Sequence, residues 1–130
     1  MVSTLHKELR KQLYSVSRFS LTELDTIRYL IRKGSLLPSE LAGLTRIKTQ
    51  SMSQILNKME EQGVVARTPS EADKRKVYIS LTPYGREMVE KNRYERDEWL
   101  KGVIEKTLTG DEIALLTRAL PVLQKLTETR

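Results

Sequence analysis

Cysteine is absent from the 130 residues, and histidine occurs once, as His6. Without cysteine there is no disulfide framework, no thiolate zinc site, no thiol nucleophile and no thiol redox switch. A lone histidine near the N-terminus leaves nothing from which to assemble a Ser-His-Asp triad or a histidine-based metal cluster. No pair of catalytic carboxylates stands out either, so neither an enzyme nor a bound metal or cofactor is expected. Aromatic residues make up only 5% of the chain, so the core has to come from Leu, Ile, Val and Met, a composition that suits packed helices. The apolar stretches run a few residues at most, far short of the ~18 a membrane span needs, and Met1 to Lys11 lacks a signal-peptide hydrophobic region. The expectation is a soluble cytoplasmic protein with no membrane partner. The formal charge of +6 permits a polyanionic partner without demonstrating one, so the placement of the charges must decide.

What is present reads as helices with one β-hairpin. Leu5, Leu9, Leu13 and Val16 recur at helical spacing and predict a first helix ending near Arg18. Ser20-Leu21-Thr22-Glu23 and Thr22-Glu23-Leu24-Asp25 both read as capping boxes opening a second helix. Its apolar face is Leu24, Ile27, Leu30 and Ile31, and Gly34 closes it. Ser35 and Leu36 read as a connector. Pro38 suits a helix's first position, and a short third helix continues through Leu44. After the bend Thr45-Arg46-Ile47-Lys48, the residues Met52, Ile55, Leu56 and Met59 predict a fourth helix stopped by Gly63. A short helix, a tight turn and a longer helix together suggest a helix-turn-helix. Val64–Thr68 and Lys76–Leu81 are β-prone segments around a polar loop too long for a tight turn. Thr82-Pro83 opens a helix reaching about Thr107, roughly 37 Å at ~1.5 Å per residue, longer than a compact domain of this size needs. A second chain is its natural cover, and Tyr94 and Trp99 on it are expected to pack or to line that junction. Thr109-Gly110-Asp111-Glu112 caps a last helix carrying Ile113, Leu116, Leu120, Leu123 and Leu126, with a kink or break expected at Pro121.

Two of these elements carry side chains suited to DNA. Opposite its apolar stripe the fourth helix presents Gln50, Ser53, Gln54, Asn57 and Lys58, with no acid in its first turns. Gln and Asn can bond adenine edges, Ser and Thr reach bases or phosphates, and Lys neutralises phosphate. The hairpin loop ends in Asp73-Lys74-Arg75-Lys76, where three cations at a protruding tip suit a minor groove. Asp73, two residues from Arg75, can hold the guanidinium in a bidentate pair. Taken alone, the helix face fits an ordinary solvated surface equally well, and the basic hairpin fits a solvated turn better.

In order along the chain, Leu21-Thr22, Ser39-Glu40-Leu41-Ala42, Glu60-Glu61-Gln62-Gly63-Val64-Val65, Arg67-Thr68-Pro69, Asp73-Lys74-Arg75 and Ile79-Ser80-Leu81-Thr82-Pro83-Tyr84-Gly85 resemble the winged-helix domain of the MarR (multiple-antibiotic-resistance regulator) family of bacterial transcription regulators. The terminal helices match by pattern only. The resemblance implies a mainly α fold with a small β-hairpin wing: an N-terminal dimerisation helix over 1–19, a winged helix-turn-helix over 20–85 and C-terminal dimerisation helices over 86–130. It further implies a homodimer on double-stranded DNA, a repressor by expectation, with recognition helices in successive major grooves of a pseudo-palindrome and wings in the flanking minor grooves. Carried over residue by residue, the recognition region is Lys48, Thr49, Gln50, Ser51, Ser53, Gln54 and Lys58. The wing contacts are Asp73, Lys74, Arg75 and Lys76, and dimerisation falls to Leu5, Leu9, Leu13, Leu116, Leu120, Leu123 and Leu126.

Two departures matter. Lys48 stands where the family usually has Ser, which leaves open whether the helix cap stays there or moves to Thr49. Gln54 stands where Arg is frequent, which favours adenine over guanine. Many members of the family respond to small phenolic or anionic effectors in a crevice beside the dimer helices. His6, Arg10 and Tyr14, four residues apart on the first helix, would form a polar stripe that either meets such an effector or forms a solvent-exposed rim. The peroxide-sensing mechanism of some members is excluded by the missing cysteine. The competing reading is a winged-helix module that binds a protein through the same surface.

Overall fold

A computed structural model describes residues 1–128. The elements run α1 (Val2–Tyr14), α2 (Leu21–Lys33), β1 (Ser35–Leu36), α3 (Pro38–Thr45), α4 (Thr49–Glu61), β2 (Val65–Pro69), β3 (Val77–Leu81), α5 (Pro83–Thr107) and α6 (Gly110–Gln124). The chain forms two compact units, Met1–Glu95 and Arg96 onward. The fold is mainly α with a small antiparallel sheet, as expected. That sheet has three strands rather than two, in the order β1-β3-β2. No described helix is long and apolar enough to cross a membrane.

In the first unit the core is Phe19, Ile27, Leu30, Leu36, Leu41, Ala42, Met52, Leu56, Met59, Val64, Val65, Ile79 and Leu81. The aliphatic and Met stripes of α2, α3 and α4 therefore converge on one face of the sheet. Of the two overlapping capping boxes, the chain uses the first. Ser20 Oγ accepts from the Glu23 N–H at 3.1 Å, and Glu23 Oε1 accepts from the Ser20 N–H at 2.9 Å. Phe19 just before the cap is buried and Leu24 packs on the same core, the hydrophobic staple that selects this start over Thr22. The buried face of α2 is Glu23, Thr26, Ile27 and Leu30, at i, i+3, i+4 and i+7, which leaves Ile31, expected inside, 49% exposed.

Three further expectations change. Helix α1 stops at Tyr14 rather than near Arg18, because Ser15 and Ser17 turn their hydroxyls onto the backbone carbonyls of Gln12 and Phe19, at 2.6 and 2.8 Å. Ser35 and Leu36 are a strand, not a connector. Gly34, at φ 86°, turns the chain so that they pair with Ser80 and Ile79 of β3 and bury Leu36. The last helix runs through Pro121 without a break. Proline removes one N–H bond, and Pro121 lies only three residues from the helix end at Gln124, so little helix remains to be broken off. The Thr109 box forms as read, with bonds of 2.8 and 3.2 Å to Glu112.

The link between α1 and α2 is tied to α5 by a buried amide. Asn92 Oδ1 accepts from the Arg18 N–H at 2.7 Å, while Arg18 Nη2 reaches Glu95 at 2.7 Å. That hydrogen bond, with the attraction of the guanidinium behind it, holds the Glu95 carboxyl below its ordinary range.

Candidate nucleic-acid interface

Helices α3 and α4 meet through a turn whose shape is fixed by two backbone bonds. The Ile47 N–H donates to Ala42 O at 3.0 Å and the Arg46 N–H to Gly43 O at 3.3 Å, the Schellman pattern. Arg46 takes the left-handed conformation, φ 58°, where glycine is the usual occupant. Lys48, with extended backbone, is the N-cap of α4, and Thr49 is its first helical residue, so the cap does not move to Thr49. Lysine offers no acceptor, and no side chain caps the helix start. Lys48 and Arg46 are exposed beside it, an electropositive end suited to an anion.

Along α4, Met52, Leu56 and Met59 are buried and anchor the helix to the core. Gln50, Ser53, Gln54 and Asn57 are exposed on the opposite face, with Thr49 and Ser51 exposed at its start. No acid interrupts this face before Glu60. Lys58 separates from the group. Its Nζ lies 3.9 Å from Oε1 of Glu23, the buried capping carboxylate of α2, so it is drawn to the flank of the helix.

The hairpin pairs from Val65↔Leu81 to Pro69↔Val77. Its loop is ordered from within: the Ser70 N–H donates to Lys76 O at 2.8 Å and the Lys76 N–H to Asp73 O at 2.9 Å. The bidentate pair expected at the tip is present. Asp73 Oδ1 accepts from the Arg75 backbone N–H at 3.1 Å and from its Nε at 3.2 Å, and Oδ2 accepts from Nη2 at 3.4 Å. The Arg75 side chain is still 91% exposed against 32% for Asp73. An exposed pair of this kind adds only ~0–1 kcal/mol to stability, so its consequence is orientation of the guanidinium. Lys74 and Lys76 flank it, both exposed.

A model of the MarR family matches residues 19–76. An uncharacterized helix-turn-helix-type transcriptional regulator of Mycobacterium leprae is 31% identical over 112 residues, 85% of this chain and 76% of the relative. The chain belongs to the MarR family. Its members here are helix-turn-helix transcriptional regulators, not enzymes. The homoprotocatechuate degradative operon repressor of Escherichia coli is 33% identical over 107 residues, 81% of this chain and 72% of that one. Among solved structures, a regulator protein of Pseudomonas aeruginosa superimposes with a TM-score of 0.75 at 26% identity, covering 99% of this chain and 91% of the other. NadR, solved in complex with 4-hydroxyphenylacetate, gives 0.63 at 26% identity with the same coverage.

Several of the residues that shape this MarR-family surface were not foreseen as doing so. Arg67 lies on β2 opposite Ile79, on the inward side with Val65. Its Nη2 donates to Asn57 Oδ1 at 2.7 Å and its Nε lies 3.3 Å from Glu60 Oε1, so it joins the wing to α4. Strand alternation held the signal, since it puts a cation on an inward face, where it needs a partner. Thr82 joins the other side: its N–H donates to Val64 O at 3.0 Å, its hydroxyl donates to Gly63 O, and its oxygen accepts from the Gly85 N–H at 2.8 Å. The Leu-Thr-Pro-Tyr-Gly run is therefore the tied junction between wing and helix α5.

The dimerisation candidates are placed within each unit separately. Helix α1 buries none of its residues, with Leu5 and Leu9 exposed and Leu13 half-buried. Helix α6 exposes Leu116, Leu120 and Leu123, and Leu126 just beyond it is exposed too. His6, Arg10 and Tyr14 line an open groove of about 420 Å³ between α1 and α2, facing Leu24 and Arg28.

Proposed function

We propose that the protein is a homodimeric repressor that binds a pseudo-palindromic site on double-stranded DNA in the cytoplasm. Gln50, Ser53 and Gln54 of α4 meet base edges in the major groove, Lys48, Thr49 and Ser51 meet phosphates at the helix start, and Lys74, Arg75 and Lys76 enter the minor groove. Lys58 contributes long-range charge from the flank. The observation that carries this reading is the acid-free, exposed face of α4 in the same compact unit as a wing cation held outward by Asp73. Repression is favoured by the Escherichia coli relative, itself a repressor. Dimerisation is favoured by the exposed leucine stripes of α1 and α6, since contiguous apolar faces of that kind mark association surfaces.

Arg75→Ala tests the DNA reading by fluorescence anisotropy against promoter and random duplexes across a salt series. The expected result is binding weakened about tenfold on every sequence, with the salt slope reduced by about one per phosphate that the guanidinium no longer neutralises. Equal affinity of the parent protein for promoter and random duplexes would sink the sequence-specific claim, and no affinity for either would favour the protein-binding module.

The groove beside His6, Arg10 and Tyr14 is the proposed effector site for a small aromatic anion, because it sets Arg10 next to Leu24 and Tyr14, with Arg28 across from it already paired to Asp25. NadR carries such a ligand in its own structure. Millimolar 4-hydroxyphenylacetate is expected to raise the melting temperature and release the promoter duplex, and Arg10→Ala to abolish both effects. A ligand response unchanged in Arg10→Ala would remove this groove from the mechanism.

A further inference from the structure

Asn57 occupies the exposed face of α4, seven residues after Gln50 and three after Gln54, so all three share one side of the helix. Unlike the two glutamines, it is held. Its Oδ1 accepts from Arg67 Nη2 at 2.7 Å, and Arg67 is itself fixed by Glu60 at 3.3 Å. A guanidinium has five donors and no acceptor, so only the oxygen of the amide can face it. The flip that is ordinarily open to an asparagine is closed by chemistry. With the oxygen turned to β2, the amino group Nδ2 is turned away from the wing.

We propose that Asn57 is a specificity-determining residue that presents a fixed hydrogen-bond donor to the major groove. It would select a base edge offering acceptors, guanine O6 and N7 or thymine O4 ahead of adenine, whose N7 lies beside its own N6 donor, and against cytosine, whose N4 amino group would meet it donor to donor. Arg67 is the positioning residue: it touches no base and acts by setting the polarity that Asn57 shows. The inference rests on the DNA-reading role proposed above and adds the sign of one contact to it.

Two variants test it, with selection of bound duplexes from a randomised half-site library as the measurement. Asn57→Asp keeps an oxygen for Arg67, and so keeps the tie to β2, but presents only acceptors. It is expected to lose the guanine or thymine preference at one position of each half-site by about tenfold or more and to shift toward cytosine there. Arg67→Met frees the amide to flip and is expected to relax the same position while leaving the others as they were. If Asn57 instead held a phosphate, Asn57→Asp would weaken all sequences alike with base preferences unmoved, and that result overturns the proposal. Failure of the parent protein to enrich any sequence overturns the DNA-reading role itself, and with it this inference. Specific binding with unchanged preferences in both variants overturns the inference alone.

Discussion

Replacing Gly85 by alanine is expected to lower stability by about 3 kcal/mol, at the upper end of what overpacking costs. A Cβ built on Gly85 would sit 2.1 Å from Val64 O, 2.9 Å from its carbonyl carbon and 3.1 Å from its Cα. Those are backbone atoms, so no rotamer can relieve the clash. Val64 is buried, and its carbonyl oxygen is the acceptor for the Thr82 N–H. Moving it would also disturb the start of β2 and the hydroxyl bridge from Thr82 to Gly63. For a chain of this size the loss corresponds to a fall in melting temperature of about 10 °C, measurable by circular dichroism at fixed protein concentration. A melting temperature within about 2 °C of the parent would show that the α4–wing junction can yield, and would remove Gly85 from the residues that fix it.

The reason that glycine is needed was not legible in the sequence, although its place in the Leu-Thr-x-x-Gly run was. Sequence patterns report local physics well. The caps at Ser20 and Thr109, the proline at the start of α3, the Met52–Met59 stripe and the Asp73–Arg75 pair all join residues close in the chain, and each forms as expected. What went unread is non-local or runs against propensity. Ser35 and Leu36 become a strand only because β3 offers them an edge. Asn92 looks like an ordinary polar position in a long helix, yet it is buried and accepts the Arg18 N–H from another part of the chain. Arg67 matters through Asn57, a residue on another element. Arg46 sits where a left-handed residue is required and glycine would be the cue, so the turn hid its own geometry. The candidate interface was therefore visible as a set of residue types, while the ties that orient them were not.

Those ties decide how the chain presents its surface, whereas affinity for the proposed palindrome depends on two copies being joined. Leu120→Glu is expected to convert the proposed dimer to monomer and to weaken binding to the full operator by about 100-fold or more. Linking two half-site readers makes the second binding event intramolecular, and that gain, about 10²–10⁴, disappears when the protomers separate. Leu120 is chosen because it is 55% exposed in the single chain, on a stripe with Leu116 and Leu123. A surface substitution of this kind changes the stability of an isolated chain by only about 0.5 kcal/mol, so a larger loss reports burial against a partner. Sedimentation at micromolar concentration reads the oligomeric state, and anisotropy with full and half operators reads the coupling. The variant should bind a half-site as the parent does, because α4 and the wing are untouched. A variant that stays dimeric would exclude this face of α6 from the interface. A parent protein that is already monomeric would instead exclude the dimer, and the parent's own salt slope would then count the phosphates met by a single reader.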